Sequence, residues 1–502
     1  MIEAAASRRA SPSMPGLLLA AVVAVALLRA VVAAATGLTD DESYYRLWAL
    51  APAISYLDHP PMVGWLMAAG RAIAGDTAFG LRLPALLISL AGPFLLWRTA
   101  ALLFGREVAV AAVLFSLAMP LLAVGGVLLT PDAPSVFFWG LCAWALAELH
   151  VSRNANWWLA VGLFAGLGLL SKYTNLFVGA GILLWLLAVP RNRAWLASWQ
   201  LWAGGLLAAL LTAPVIVWNA RYHWASFDKQ LGRAARGADW SLEFLLEMLG
   251  GYIGLASPLI AVIGLIGLAR ILREAVRTRD ERAILIVSGL APVLLYFLVH
   301  ALHARVQANW LAPLYPVMAL LAGYQLSRSS SAFRGRWLGA ALAVGAALTA
   351  LVYAHALHPF VVLPGSRDPT SQMRGWQDFA GRIDELRRQT GAAWVGTGHY
   401  TTQGQLAFAL RGTAPVMQVN DRLRYVHLPP VEARLAASAG LVVELDERLD
   451  GATLTARFRS VRPVAVVTRE FAGVVLGRYR VWQVADPVAP DTLFTYVPGR
   501  DD

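Results

Sequence analysis

Residues 39–65 read T-D-D-E-S-Y-Y-R-L-W-A-L-A-P-A-I-S-Y-L-D-H-P-P-M-V-G-W, and the rest of the chain is understood from this stretch outward. It follows the first long apolar run, Gly16 to Ala35, and sets Asp40, Asp41, Glu42, Asp58 and His59 among aromatic side chains. Few other places before the C-terminal region put so many ionisable groups beside an apolar run. The charged groups read as a reaction centre, and the surrounding chain reads as a membrane scaffold that presents them.

The composition supports the scaffold. Of 502 residues, 58% are hydrophobic and 15% charged, against about 25% charged in soluble proteins. Apolar runs of about 20 residues recur, each long enough to cross a bilayer as a helix. The net charge of +11 would suggest nucleic acid in a soluble protein. Here the basic residues sit mainly in short loops, where the positive-inside rule accounts for them, and no nucleic-acid-binding pattern accompanies them. The single cysteine, Cys142, lies inside an apolar run. It excludes an intrachain disulfide and a cysteine metal site, and it reads as a small buried hydrophobe.

About eleven membrane spans are expected. The first, Gly16 to Ala35, is too long for a signal-peptide core and reads as an uncleaved span. Arg8 and Arg9 before it face the cytoplasm by the charge rule, so the loop 37–80 falls on the far side. In that loop D-D-E-S-Y-Y-R-L-W-A-L suits a short helix with acids in its first turn, which the helix dipole favours. Met62 to Ala74 suits an amphipathic helix on the membrane. Further spans are expected near 81–103, 108–128, 133–149, 157–170, 174–189, 201–218, 244–268, 283–299, 310–326 and 337–356. The loops assigned inward are rich in arginine, and the chemically interesting clusters all fall outward. From about Pro359 charges rise and long apolar runs stop. An amphipathic helix over 375–389 and short strands near 394–398, 416–419, 441–445 and 464–467 predict an outer α/β domain over 359–502, with 1–358 as the membrane domain.

The candidate site residues follow from this layout. Three adjacent carboxylates, Asp40, Asp41 and Glu42, cannot all face one way on a helix. One or two would point into a cavity, where a neighbouring acid raises a carboxyl pKa and suits a general base. The competing reading is an acidic helix start. Asp132, between Pro131 and Pro134, falls in the first turn of its span. It serves either the helix dipole or an outer cavity shared with Asp41. His59, before two prolines that hold the chain extended, suits an anion or a ligand hydroxyl, with a turn histidine as the competing reading, and Asp58 beside it is a substrate-binding candidate. Lys172 ends a span without a nearby acid in sequence, which invites a phosphate, although snorkelling explains it too. Tyr173 beside it is a substrate-binding candidate. Arg221, His303 and Arg305 add outer cations where the charge rule makes them scarce. Metal-ligand spacing is not evident among Asp40, Asp41, Asp132 and His59, so no metal or other cofactor is expected, and a divalent ion would be an unsupported addition.

In order, D-D-E-S-Y-Y (40–45), Y-L-D-H-P-P-M-V-G-W (56–65), L-L-T-P-D-A-P (128–134), G-L-L-S-K-Y-T (168–174), V-W-N-A-R-Y-H-W-A-S-F (217–227) and R-V-Q-A-N-W-L-A-P-L-Y-P (305–316) resemble the GT-C membrane glycosyltransferases. The resemblance is greatest to the bacterial branch related to protein O-mannosyltransferases, the lipid A aminoarabinose transferase and the rhizobial lipopolysaccharide galacturonosyltransferases. Each motif alone is weak, but six in one order is a strong signal, and the C-terminal domain carries none. The resemblance implies a GT-C fold in a bacterial inner membrane, with the site and the C-terminal domain periplasmic. It implies a polyprenyl-phosphate sugar donor, a lipid, glycolipid or protein hydroxyl as acceptor, and transfer of a hexosyl or pentosyl group with inversion. It makes Asp41 the catalytic base, with Glu42 beside it and Asp132 as the second active-site carboxylate. Lys172 and Arg305 would contact the phosphate. Where the aminoarabinose transferases typically carry Glu-Lys before Pro-Pro, this chain has Asp58-His59. A histidine is not a fixed cation at neutral pH, which argues against aminoarabinose as the sugar. A lipid-linked-sugar flippase would instead bury charges mid-span and pair broken helices. An oligosaccharide ligase with a diphosphate-linked donor would use the same cations.

Overall fold

Proline and glycine divide the apolar runs into helices of unequal length in the computed structural model, which describes residues 13–235, 240–365, 367–448 and 451–498. Arg8 and Arg9, used above for orientation, lie outside the described residues. In chain order the helices are α1 (Gly16–Ala35), α2 (Asp40–Leu50), α3 (Met62–Ala74), α4 (Ala78–Phe104), α5 (Arg106–Ala118), α6 (Pro120–Gly125), α7 (Asp132–Ser152), α8 (Trp157–Leu169), α9 (Leu176–Ala188) and α10 (Trp199–Arg221). They continue as α11 (Ala225–Ala235), α12 (Glu243–Ala256), α13 (Pro258–Arg277), α14 (Glu281–His300), α15 (Leu314–Ser327), α16 (Ser331–Leu357), α17 (Trp376–Gln389) and α18 (Tyr400–Ala409). The two short helices expected in the first loop are α2 and α3.

Among the described residues six helices are long and apolar enough to cross a membrane: α1, α4, α7, α10, α14 and α16. The number reaches eight if each of two bent pairs is one span, Tyr173–Ala188 with Pro190–Ala197 (bent by 115°) and α12 with α13 (108°). The remaining expected spans fall on α5, α8 and α15, which have 13, 13 and 14 residues, short of the roughly 20 that a bilayer requires. Two expected spans are divided by proline. Pro120 starts α6 after an extended Met119. Pro258 starts α13 after Ser257, whose φ is 70°. Proline has no N–H to continue a preceding ladder and suits the first position of a new helix, as at these two breaks.

The described chain forms two compact units, Met1–Val31 with Ala85–Val352, and Val32–Pro84 with Tyr353–Asp502. The first loop, expected to belong with the spans, groups instead with the C-terminal segment. The first unit is an apolar helical assembly. Its helices approach closely where side chains are small: a Cβ on Gly162 of α8 would lie 2.1 Å from the carbonyl oxygen of Gly204 in α10. Small residues at such crossings let backbones touch inside a membrane.

The second unit holds a five-stranded sheet of β1 (Trp394–Thr397), β2 (Val416–Gln418), β3 (Gly440–Leu445), β4 (Phe458–Phe471) and β5 (Val474–Pro487). The order is β2-β1-β3-β5-β4, with β1 parallel to β2 and β3, and β5 antiparallel to β3 and β4. Both faces are covered. Val395, Leu441, Tyr479 and Val481 pack with Phe379, Ile383 and Leu406 of α17 and α18 on one face. Trp394, Val442, Trp482 and Val484 pack with Leu454 and Phe458 on the other. The sequence reading missed β5 and cut β4 short. Outward Arg478 and Arg480 dilute the apolar signal of β5, which shows only in its alternation.

In this unit Arg82, at the start of α4, is fully buried. Its Nε and Nη2 donate to Glu42 Oε1 and Oε2 at 2.8 and 2.7 Å. Its remaining N–H groups reach the carbonyls of Ala33, Thr36 and Gly37 and the Thr36 hydroxyl at 2.6–3.0 Å. Removing one partner leaves a buried charge unmatched. Arg82→Ala is therefore expected to lower stability by about 3–5 kcal/mol. Glu42→Gln combined with Arg82→Met should cost less than the sum of the single changes. Chemical denaturation of the detergent-solubilised chain measures both.

Candidate active site

The acid turn is built by its cap. The Thr39 hydroxyl accepts from Glu42 N–H at 3.2 Å, and Glu42 Oε2 accepts from Thr39 N–H at 3.0 Å. This reciprocal box starts α2 at Asp40 and sets its rotation. Successive helix residues then project in different directions. Glu42 points inward to Arg82 and is fully buried. Asp40 is half-buried; its Oδ1 accepts from Gln405 Nε2 at 3.0 Å, and its backbone N–H donates to Gln372 Oε1 at 3.0 Å. Asp41 is exposed. Burial raises the Asp40 carboxyl above its ordinary value, opposed by the Gln405 amide and by the charges of Arg469 and Arg448. The raised carboxyl is that of Asp40, and burial raises it, not a neighbouring acid.

Asp58 is buried and accepts from the Tyr44 hydroxyl at 2.8 Å. It also pairs with Arg424, which the expected strand pattern did not single out. Arg424 is shared with Asp421 and lies over the Tyr400 and Tyr44 rings at 5.0 and 5.9 Å. His59 is half-buried, its ring 6.1 Å from that of Tyr45. Tyr400 packs against Tyr44 with the rings tilted by 56° and centroids 5.0 Å apart. Its hydroxyl is pushed up to about 12 by burial and then by the charge of Asp41.

The other candidates belong to the first unit. Asp132 sits in the first turn of α7. Its Oδ1 accepts from Lys172 Nζ at 2.5 Å and its Oδ2 from Asn309 Nδ2 at 2.9 Å. The lysine that has no acid nearby in sequence thus finds one through the fold. Tyr173 shares a hydrogen bond with Ser226 at 2.8 Å. His303 lies 5.0 Å from the His300 ring and 6.1 Å from that of Trp240. Arg221 is exposed at the end of α10. Arg305 is exposed too and pairs with Glu247 at 2.9 Å.

Sequence reasoning did not single out Asn309, Arg424, Gln372 or Gln405. Asn309 had a signal, since it stands inside the quoted R-V-Q-A-N-W. The other three lie in a segment without a motif. Among the described residues no group of three or more His, Cys, Asp or Glu gathers as metal ligands.

Comparison with known proteins bears on the class. Residues 58–218 match the family described as dolichyl-phosphate-mannose-protein mannosyltransferase. Over 305 residues the chain is 27% identical to lipid A galacturonosyltransferase RgtD of Rhizobium johnstonii, covering 58% of this chain and 61% of that protein. The match therefore spans about three fifths of the relative's length. In fold, the chain is similar to ArnT of Cupriavidus metallidurans, solved bound to undecaprenyl phosphate, with a TM-score of 0.64 and 16% identity over 93% of this chain and 97% of that one. It is also similar to an oligosaccharyltransferase of Archaeoglobus fulgidus, with a TM-score of 0.54 and 12% identity over 85% of this chain and 69% of that one. The chain is thus similar to membrane glycosyltransferases over residues 58–218 and shares its overall fold with ArnT.

One titration follows from the surroundings of the acid turn. His427 packs edge-on to Tyr56 with centroids 5.0 Å apart, and burial holds it down to about 4 from an ordinary 6.5. The unfolded chain then binds more protons than the folded one between these values. Stability is therefore complete above pH 6.5 and falls as the pH drops toward about 4. Replacing His427 with Phe is expected to flatten that acid-side loss, as read from denaturation midpoints across pH 4–7.

Proposed function

We propose that this chain is an inverting glycosyltransferase that moves a sugar from a polyprenyl-phosphate donor to a hydroxyl of a lipid A or related glycolipid acceptor, at the periplasmic face of a bacterial inner membrane. The observation that carries the reading is the sorting of three adjacent carboxylates. Glu42 is committed to Arg82 and Asp40 to Gln405, while Asp41 is exposed. Exposure to solvent is what distinguishes Asp41 from its two neighbours. The donor class is supported by the fold shared with a protein solved on undecaprenyl phosphate. A hexuronosyl sugar and a lipid A acceptor are supported by the relative that carries galacturonosyl transfer to lipid A in its name. Asp58-His59 in place of Glu-Lys agrees with a sugar other than aminoarabinose.

In the proposed reaction the acceptor hydroxyl attacks the anomeric carbon, and Asp41 takes its proton as the new glycosidic bond forms. The bond from the anomeric carbon to the phosphate oxygen breaks on the opposite face, so the configuration inverts. The leaving polyprenyl phosphate is a competent leaving group once its charge is matched. Lys172 supplies that charge, with Asp132 fixing the ammonium and Asn309 holding the Asp132 carboxylate. Arg305, Arg221, His303 and His59 are the further cations and donors available to substrate, and Tyr173 and Asp58 bind it through hydrogen bonds. Glu42 serves by position.

The test is transfer of a labelled sugar from membrane polyprenyl phosphate to cell-envelope acceptors. Asp41→Asn at matched expression is expected to lower the rate about 10²–10⁴-fold. Lys172→Met should weaken transfer while Arg305→Gln changes it less, since Lys172 is 13% and Arg305 65% exposed. Equal transfer by Asp41→Asn would move the base to Asp40 or Asp132. Movement of the lipid-linked sugar across the bilayer without attachment would replace the reading with a flippase. Transfer only from diphosphate-linked donors would replace it with a ligase.

A further inference from the structure

We infer that helix α18 of the C-terminal sheet domain is part of the transfer machinery, and that Gln405 is a positioning residue for the acid turn; the inference rests on the glycosyltransferase reading above. Two glutamines on α18, both nearly fully buried, face opposite ways. Gln403 looks to the sheet: its Oε1 accepts from the Thr397 hydroxyl at 2.8 Å, and its Nε2 donates to Val416 O at 2.9 Å. Gln405 looks to α2. Its Nε2 donates toward Leu38 O at 3.1 Å, Asp40 Oδ1 at 3.0 Å and Gln372 O at 3.0 Å. One helix therefore ties β1 and β2 to the turn that carries Asp40 and Asp41.

The tie is tight enough to transmit position. A Cβ on Gly404, between the two glutamines, would lie 2.6 Å from Ser43 Oγ and 2.7 Å from the backbone of Ser43 and Tyr44. The two helices thus meet at backbone distance, and no other residue fits without moving one of them. Further along, Arg46 of α2 donates to Ala407 O at 3.2 Å and is held by Asp76 through a two-pronged pair at 2.8 and 2.5 Å. The start of α18 is anchored in turn by buried Glu444 on β3, which accepts from Gly398 N–H at 2.9 Å and the Thr402 hydroxyl at 3.0 Å.

The chemical consequence falls on the exposed carboxylate. The Gln405 amide favours the ionised form of Asp40 against the burial that disfavours it. The same bond holds the first turn against rotation, so Asp41 keeps its direction while substrates come and go. Gln405 touches neither substrate and acts through Asp40.

The experiment compares full-length wild type with Gln405→Met, which keeps length and loses the donor, and with Gln405→Asn, which keeps the amide but draws it back by one methylene. Arg388→Gln, on an exposed side chain of α17, is the control. Two readouts are taken: steady-state transfer, and hydrogen exchange of the backbone amides of 41–46. Both Gln405 variants are expected to lose about 10–100-fold in kcat, with KM for donor within about twofold. Exchange at 41–46 should quicken while β1, β3 and β5 exchange as in wild type. Unchanged kcat with quickened exchange would overturn the positioning role and leave a structural one. Unchanged values of both would overturn the contact's importance altogether. If wild type transfers nothing, the glycosyltransferase reading fails, and the exchange arm decides whether Gln405 holds the turn. Should Gln405→Met fail to accumulate, Gln405→Asn carries the same expectations.

Discussion

The guanidinium of Arg82 is removed from water and surrounded by a carboxylate, three carbonyls and a hydroxyl. Desolvating such a cation costs several kcal/mol, and only a complete set of partners offsets it. That demand is what orders the start of α2. Glu42 is taken up by the pair and by the Thr39 cap, so the helix begins at one residue and in one rotation. Once Glu42 is inward, helical geometry gives Asp40 and Asp41 their own directions. The acid turn is therefore a consequence of where one arginine is buried.

The second pair of charges works differently. Asp132 and Lys172 are partly exposed, at 17% and 13%, and Asn309 fills the other carboxylate oxygen. Such a pair retains access to water and to a ligand, whereas Arg82 and Glu42 have none. A lysine bound to a carboxylate on one side still has two N–H groups left to donate. The contrast separates a pair that holds a fold from one suited to chemistry.

Much of this was legible in residue order, because the informative patterns are local. Apolar runs announce membrane helices, and T-D-D-E carries its own cap. The six motifs place Asp41, Asp132 and Lys172 among the candidates. The breaks at Met119–Pro120 and Ser257–Pro258 were less legible, since composition stays apolar across them. The length of α5, α8 and α15 was hidden for the same reason. In the C-terminal domain β5 escaped notice because its arginines alternate with apolar residues. Its register against β3 and β4 is what makes it a strand.

Local order determined the membrane class, the family resemblance, the acid turn and its helix, because each depends on residues a few positions apart. Only the tertiary structure decided which carboxylate is buried and which is exposed. Glu42 meets its arginine across 40 residues, Asp40 its glutamine across 365, and Asp58 its arginine across 366. No periodicity reaches so far. The direction of a side chain on a helix is settled by the partner that buries its neighbour, and that partner is brought by the fold.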